Sequence, residues 1–353
     1  MRVKNRFGDM TNDMKPLLSV LNGKPNMPAP IWLMRQAGRY LPEYRELRAK
    51  TKNFLEFCYT PEFAVEVTLQ PIRRFGFDAA ILFSDILVIP DALGRNVAFV
   101  EGEGPKLEPI SPRDLDKLDV ANVTSFLKPV FETVGGLKDA LPENVTLIGF
   151  AGAPWTVATY MVEGGSSRDY PTIRKWAYQD PESFGRLIGI LVDATADYLS
   201  AQIDHGAEAV QLFDSWAGIL AADEFRRWSI EPAAEIVRRL KAKHPGVPVI
   251  GFPRGAGVGY PAYVRETGVA GIGLDATIPP SWAAEHLQHL ATVQGNLDNI
   301  ALLSGGAAMD TAIDQILEAL SGGPFIFNLG HGILPQTPVA HVERLIEKVR
   351  ERK

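Results

Sequence analysis

Short apolar runs, several rich in β-branched residues, recur along the chain at 29–34, 79–83, 145–150, 208–213, 247–252, 269–274, 291–295 and 324–329. Each reads as a buried parallel strand. The stretches between them carry helical periodicity, over 61–75, 118–139, 181–204, 222–243, 260–267, 280–289, 298–320 and 336–351. Several of these begin with helix-start chemistry, such as Thr60-Pro61-Glu62 and Asp180-Pro181-Glu182. Eight alternations of strand and helix predict an α/β chain closed into a single (β/α)8 TIM barrel. A doubly wound open sheet would give the same alternation and is the alternative. No Gly-rich linker divides the chain and no internal repeat is visible, so residues 1–353 are expected to form one domain. The surplus over a typical barrel of ~250 residues falls in an N-terminal extension of 28 residues and in long βα loops at 86–112 and 156–180. The stretch 86–112 is rich in Pro and Gly.

Composition narrows the function. Hydrophobic residues make up 46% and charged residues 22% of 353, a balance that builds a core without staples or metals. The net charge of −6 argues against sequence-independent nucleic-acid binding, which needs an excess of Lys and Arg. An anionic substrate would therefore have to be met by locally concentrated positive charge. Cys58 is the one cysteine, so no intrachain disulfide and no Cys-rich zinc site can form. That fits a reducing compartment. The apolar run Leu17 to Leu21 is too short for a signal peptide and is interrupted by Ser19. No stretch approaches the ~18 apolar residues of a membrane span. A cytoplasmic protein is the expectation.

In barrels the chemistry sits where strands end. Here the predicted strands run into Arg35, Gln36 and Arg39; Ser84 and Asp85; Gly152 to Trp155; Asp214 and Ser215; Arg254; Asp275; Asn296; and His331. Polar groups from chain-distant places thus meet at one mouth. Residues 31–50 hold five bases (Arg35, Arg39, Arg45, Arg48, Lys50) against two acids. Guanidinium groups pair with carboxylates in bidentate fashion and stay protonated when partly buried, although structural ion pairs would use the same residues. Pro42 predicts a helix start, which leaves Arg35 to Arg39 in a loop. Asp85 could oppose a developing cation or cap a turn. Tyr160 could be a site residue or a buried tyrosine with a satisfied hydroxyl, and Ser215 could be a helix cap. His331 lies between Gly330 and Gly332, which permit close backbone approach to a ligand. Phosphate-binding loops, dinucleotide fingerprints and Ser-His-Asp or Cys-His arrangements are absent.

These residues lie in blocks that resemble one family. Pro30-Ile31-Trp32-Leu33-Met34-Arg35-Gln36-Ala37-Gly38-Arg39-Tyr40 is similar to the first signature of the uroporphyrinogen decarboxylases, and Gly149 to Thr156, continued by Tyr160-Met161-Val162-Glu163-Gly164, to the second. Phe83-Ser84-Asp85-Ile86-Leu87, Phe213-Asp214-Ser215-Trp216-Ala217-Gly218 and Asn328-Leu329-Gly330-His331-Gly332 resemble further blocks, and the likeness spans about residues 15–350. The resemblance implies a (β/α)8 barrel, a homodimer, and cytoplasmic haem and porphyrin biosynthesis with neither metal nor prosthetic group. The implied reaction turns four acetate side chains of uroporphyrinogen III into methyls, giving coproporphyrinogen III and four CO2. Substrate-binding positions implied by the resemblance are Arg35, Gln36, Ala37, Gly38, Arg39, Asp85, Tyr160, Ser215 and His331. Asp85 is the implied transition-state stabiliser, and Arg39, a water it holds, or Tyr160 would deliver the proton.

Two other readings compete. A corrinoid-dependent methyltransferase on the same fold would need Cys and His zinc ligands, and Cys58 has no His-x-Cys partner. A tetrapyrrole carrier would share the arginines but would not need Asp85 for turnover.

Overall fold

The computed structural model describes residues 14–100 and 102–352. The predicted N-terminal extension therefore lies partly outside the described residues. Among the described residues nine strands form: β1 (Ala79–Ile81), β2 (Ala98–Val100), β3 (Gly104–Lys106), β4 (Thr146–Gly152), β5 (Ala209–Asp214), β6 (Val249–Pro253), β7 (Gly271–Gly273), β8 (Thr292–Leu297) and β9 (Phe325–Leu329). Seven of them build one curled, all-parallel sheet in the order β1-β4-β5-β6-β7-β8-β9. Residues of these strands are almost entirely buried, as expected of parallel strands covered on both faces.

The first predicted strand, 29–34, is corrected: it forms a single-residue parallel bridge, Ile31 to Phe327. Its backbone donors explain why. Pro30 has no N–H, the Ile31 N–H donates to the Asp78 carboxylate at 2.7 Å, Leu33 N–H to Gln36 Oε1 and Met34 N–H to Asn328 Oδ1, each at 3.0 Å. Side chains have taken the groups a ladder would need. The segment nevertheless joins both edges of the sheet. Phe327 N–H donates to Pro30 O and Asp78 N–H to Ile31 O, both at 2.9 Å.

Inside the curl, Trp32, Met34, Ala79, Ile148, Ile250 and Ile326 pack together. The helix Pro16–Leu21 seals this core with Leu17, Val20 and Leu21. A buried polar chain crosses the same interior: Trp32 Nε1 donates to Gln294 Oε1 at 3.0 Å, and Gln294 Nε2 to Gln211 Oε1 at 3.1 Å. The larger apolar core lies between the strands and the surrounding helices.

Several predicted helices are subdivided. The region 118–139 begins with short turns and settles into Lys128–Ala140. The region 222–243 contains a π-helical turn, Arg226–Ile230, before Glu231–Lys243. Pro232 has no N–H to return to the carbonyl four residues earlier, which loosens the ladder there. The region 298–320 breaks at Gly305 (φ 67°) into Asn299–Ser304 and Gly306–Leu320. The stretch 156–180 is mostly helical rather than a long loop, lying within Pro154–Glu163 and Pro171–Gln179. The insertion 86–112 carries the helix Val88–Ala92 and the β2-β3 hairpin.

Candidate active site

At the C-terminal end of the sheet, Arg35 takes a left-handed backbone conformation (φ 62°), rare for a residue with a side chain. The turn is held from several sides. Gln36 is buried; its Oε1 accepts from Leu33 N–H and its Nε2 donates to Ala79 O, each at 3.0 Å. The Ile333 N–H donates to Met34 O at 2.9 Å, tying the loop after β9 to the Arg35 loop. Gly332 leaves room for the Arg35 side chain in its present position: a Cβ there would lie 2.7 Å from Arg35 Cγ. Gly38 is required, since a Cβ would fall 2.9 Å from Arg35 O. The turn aims Gln36 inward as a structural clamp and leaves Arg35 and Arg39 exposed, with Ala37 and Gly38 half-buried. Neither guanidinium makes a hydrogen bond or ion pair with the described residues, whereas Arg45 Nη1 donates to Arg39 O at 2.7 Å.

Asp85 is half-buried just past β1. One carboxylate oxygen accepts from Leu87 N–H at 2.9 Å, an Asx-type turn before Val88–Ala92. The turn reading therefore accounts for one oxygen, and the other has no partner among the described residues. Burial pushes the carboxyl up to about 6; the Leu87 N–H and the Arg35 charge oppose the rise. Arg35 also acts electrostatically on Tyr160 and His331. Four sequence-distant groups thus share one field. Burial raises the Tyr160 phenol first of all, and the neighbouring Trp216 opposes the rise. His331 is held down to about 4 by burial, then by the Arg254 and Arg35 charges, so its imidazole is neutral at physiological pH.

Ser215 is half-buried on the turn that follows β5 and caps no helix. Asp214, fully enclosed, fixes that turn: it accepts from Thr156 Oγ1 at 2.6 Å and Ser229 Oγ at 2.5 Å, while Trp216 N–H donates to the same Thr156 oxygen. Burial raises Asp214 to about 6 against these hydrogen bonds. A cavity of about 360 Å³ opens between Ser215, Trp216, Arg254, Asp275, Asp298 and His331. A second, of about 410 Å³, lies at the opposite end of the sheet between Leu21, Ala270, His289 and Pro324, away from these groups. Arg254 stood at a strand end in the sequence without an assigned role. Its place in the cavity beside His331 was not legible, because no local pattern around it distinguishes a site arginine from a surface one.

Among the described residues, no three of His, Cys, Asp and Glu come together as metal ligands would. Cys58 is buried, and burial holds its thiol well above the ordinary range.

The family model described as uroporphyrinogen decarboxylase matches residues 12–352. A Rhodospirillum rubrum protein named uroporphyrinogen decarboxylase is 59% identical over 337 residues, covering 95% of this chain and 97% of that one. The chain belongs to the uroporphyrinogen decarboxylase family. A family member of the same name from Sinorhizobium fredii is 54% identical, covering 97% of this chain and 99% of its own. Among solved structures, a methyltransferase from Methanosarcina mazei matches with a TM-score of 0.79 at 20% identity, over 95% of this chain and 97% of that one. A B12-independent methionine synthase from a Shewanella species matches with a TM-score of 0.56 at 10% identity, over 93% and 95%. At these identities the two structures share the fold of the decarboxylase family and carry no statement about its chemistry.

Proposed function

We propose that this chain is a uroporphyrinogen decarboxylase that removes CO2 from the four acetate side chains of uroporphyrinogen III, giving coproporphyrinogen III. The observation that carries the reading is a half-buried Asp85 with an uncommitted oxygen, set in the field of an Arg35 that has no protein partner among the described residues. Membership of the family over nearly the whole chain supports it. So does the hydrogen bonding of segment 30–32 to both sheet edges, which favours a single closed (β/α)8 barrel domain. The resemblance further supports a homodimer in the cytoplasm. No helix among the described residues is long and apolar enough to cross a membrane. Sedimentation would test the dimer, and fractionation the compartment.

The chemistry follows from the residue types. A proton added to the pyrrole carbon beside an acetate makes the ring an electron sink. The C–CO2 bond then breaks and its electron pair enters the ring, leaving an exocyclic methylene. Protonation of that methylene and loss of the ring proton give the methyl. Per acetate, one proton is consumed and one CO2 leaves. Asp85 opposes the ring cation while it exists. Arg35 and Arg39 meet carboxylates of the substrate, Tyr160 and His331 line its side chains, and Ser215 adds a hydroxyl. The backbone at Gln36, Ala37 and Gly38 completes the loop. Arg39, directly or through a water, is the proposed proton donor, with Tyr160 as the second candidate. The test is CO2 release and methyl formation from uroporphyrinogen III by the purified protein.

The carboxyl of Asp85 is raised to about 6, so the fraction carrying the needed charge falls as pH drops through that value. Turnover should fall about tenfold per pH unit below about 6, as for any single essential carboxylate. His331 titrates lower, at about 4, and should not shape that limb. A pH–rate profile flat from 7 down to 5 would contradict an essential Asp85 anion.

The methyltransferase reading differs in its need for zinc. Exhaustive chelation should leave CO2 release unchanged. Loss of activity that zinc restores would favour the methyltransferase. Folded protein that binds coproporphyrinogen III but never releases CO2 would favour the carrier.

A further inference from the structure

Three strands round the sheet from Asp85, the loop after β6 brings Arg254 to the cavity beside Ser215 and His331. The Arg254 backbone is firmly placed: its N–H donates to Asp214 O at 3.1 Å, and its carbonyl accepts from Gly218 N–H at 3.0 Å. The loop cannot shift outward easily, since Gly218 and Gly255 are packed so closely that a Cβ on Gly218 would lie 2.7 Å from Gly255 O. Arg254 as a whole is half-buried, and its guanidinium makes no hydrogen bond or ion pair with the described residues.

The neighbouring acid does not neutralise it through contact. Asp275 lines the same cavity but spends its oxygens on Gly255 N–H at 2.8 Å, Tyr260 Oη at 2.7 Å, Thr277 N–H at 2.9 Å and Thr277 Oγ1. Those bonds outweigh burial and keep its carboxyl below the ordinary range. Asp298 is exposed and accepts from Ile300 N–H at 2.8 Å. The hydroxyl of Ser215 and the imidazole of His331 also have no hydrogen-bond partner among the described residues. Three donors from three loops therefore face one cavity. A half-buried arginine whose guanidinium has no partner is unfavourable unless a ligand or water meets it. A carboxylate matches all three donors. Neither Asp85 nor Tyr160 lines this cavity, so an acid group held here is away from the decarboxylating centre.

We propose that Arg254, with Ser215 and His331, forms a second carboxylate-binding subsite for an acid side chain of the tetrapyrrole other than the one losing CO2. The subsite rests on the decarboxylase reading above. It fixes how the ring lies in the mouth and so which acetate meets Asp85. Because it touches a non-reacting group, its contribution is to binding in the ground and transition states alike.

The test pairs Arg254→Ala and Arg254→Lys with wild type, in uroporphyrinogen III turnover and in equilibrium binding of coproporphyrinogen III. Loss of a charged hydrogen bond should raise KM and the product Kd by about ten- to a hundredfold, with kcat within about threefold of wild type. Lysine should recover part of the loss. Circular dichroism checks that each variant is folded. A folded Arg254→Ala variant with KM and product Kd within about twofold of wild type overturns the subsite. So does a fall in kcat at constant KM, which would make Arg254 part of the reaction centre. If wild type binds coproporphyrinogen III but releases no CO2, the decarboxylase reading fails alone, and the binding comparison still decides the subsite.

Discussion

Asp85→Asn should lower turnover by about 10²–10³ while the protein stays folded, the scale on which preorganised groups facing developing charge act. Asparagine keeps the size of the side chain and can still accept the Leu87 N–H bond that closes the local turn. It loses the charge that would oppose a protonated ring. Glutamate keeps the charge but displaces it by one methylene, so its loss should be partial. Coproporphyrinogen III binding should change little in the Asn variant, since the product carries no ring cation. A folded Asn variant that releases CO2 at near the wild-type rate would remove Asp85 from the mechanism and favour a carrier.

Stability gives an independent reading of the same residue. The carboxyl sits at about 6 in the folded chain against an ordinary 3.8, so the folded state holds its proton more tightly than the unfolded state does. The penalty for ionising it develops as pH rises through that window and is complete above it. A shift of about two units corresponds to on the order of 2–3 kcal/mol against the fold at neutral pH. Asp85→Asn removes this penalty, so thermal unfolding at pH 7 should occur at the wild-type temperature or above it. The same comparison at pH 4 should show a smaller gain. A variant that is both inactive and clearly less stable at pH 7 would mean that Asp85 serves the fold.

The strands were legible because burial on both faces imposes nearly continuous apolar runs, and seven of the eight predicted runs are strands of the sheet. The exception, 29–34, has the same apolar pattern, but its N–H groups go to Asp78, Gln36 and Asn328. Side chains that arrive from distant positions cannot be read from local periodicity. The same limit applies to Gln36. Its neighbours in sequence face the mouth, yet the left-handed turn at Arg35 rotates its side chain into the core. An arginine at such a position gives no warning of the turn, as a glycine would. Asp85, Ser215 and His331 were visible as polar residues at strand ends, and the fold brings each to the mouth. The break at Gly305 falls at a Gly-Gly pair inside the predicted 298–320 helix, whereas the π-helical turn before Pro232 depended on how one missing donor is accommodated.

Arg35 carries the other large expectation, because its charge acts on Asp85, Tyr160 and His331 together. Arg35→Ala should lower kcat/KM by about ten- to a hundredfold through loss of a charged contact to substrate. It should also move the acid limb of the pH–rate profile upward, since the Arg35 charge is one of the influences that lower Asp85. Arg35→Lys should keep the limb in place and lose only the fork geometry. Gly332→Ala separates position from charge. The added methyl would meet Arg35 Cγ at 2.7 Å, and a flexible side chain can yield where a backbone could not. The fold should survive, with Arg35 displaced and kcat/KM reduced part of the way toward the Arg35→Ala value. Combining Gly332→Ala with Arg35→Ala should then add almost nothing, because residues in contact are not additive. If Arg35→Ala retains wild-type kcat/KM at low substrate and an unmoved acid limb, the arginine shapes the loop alone, and the field it casts on Asp85 has no part in the reaction.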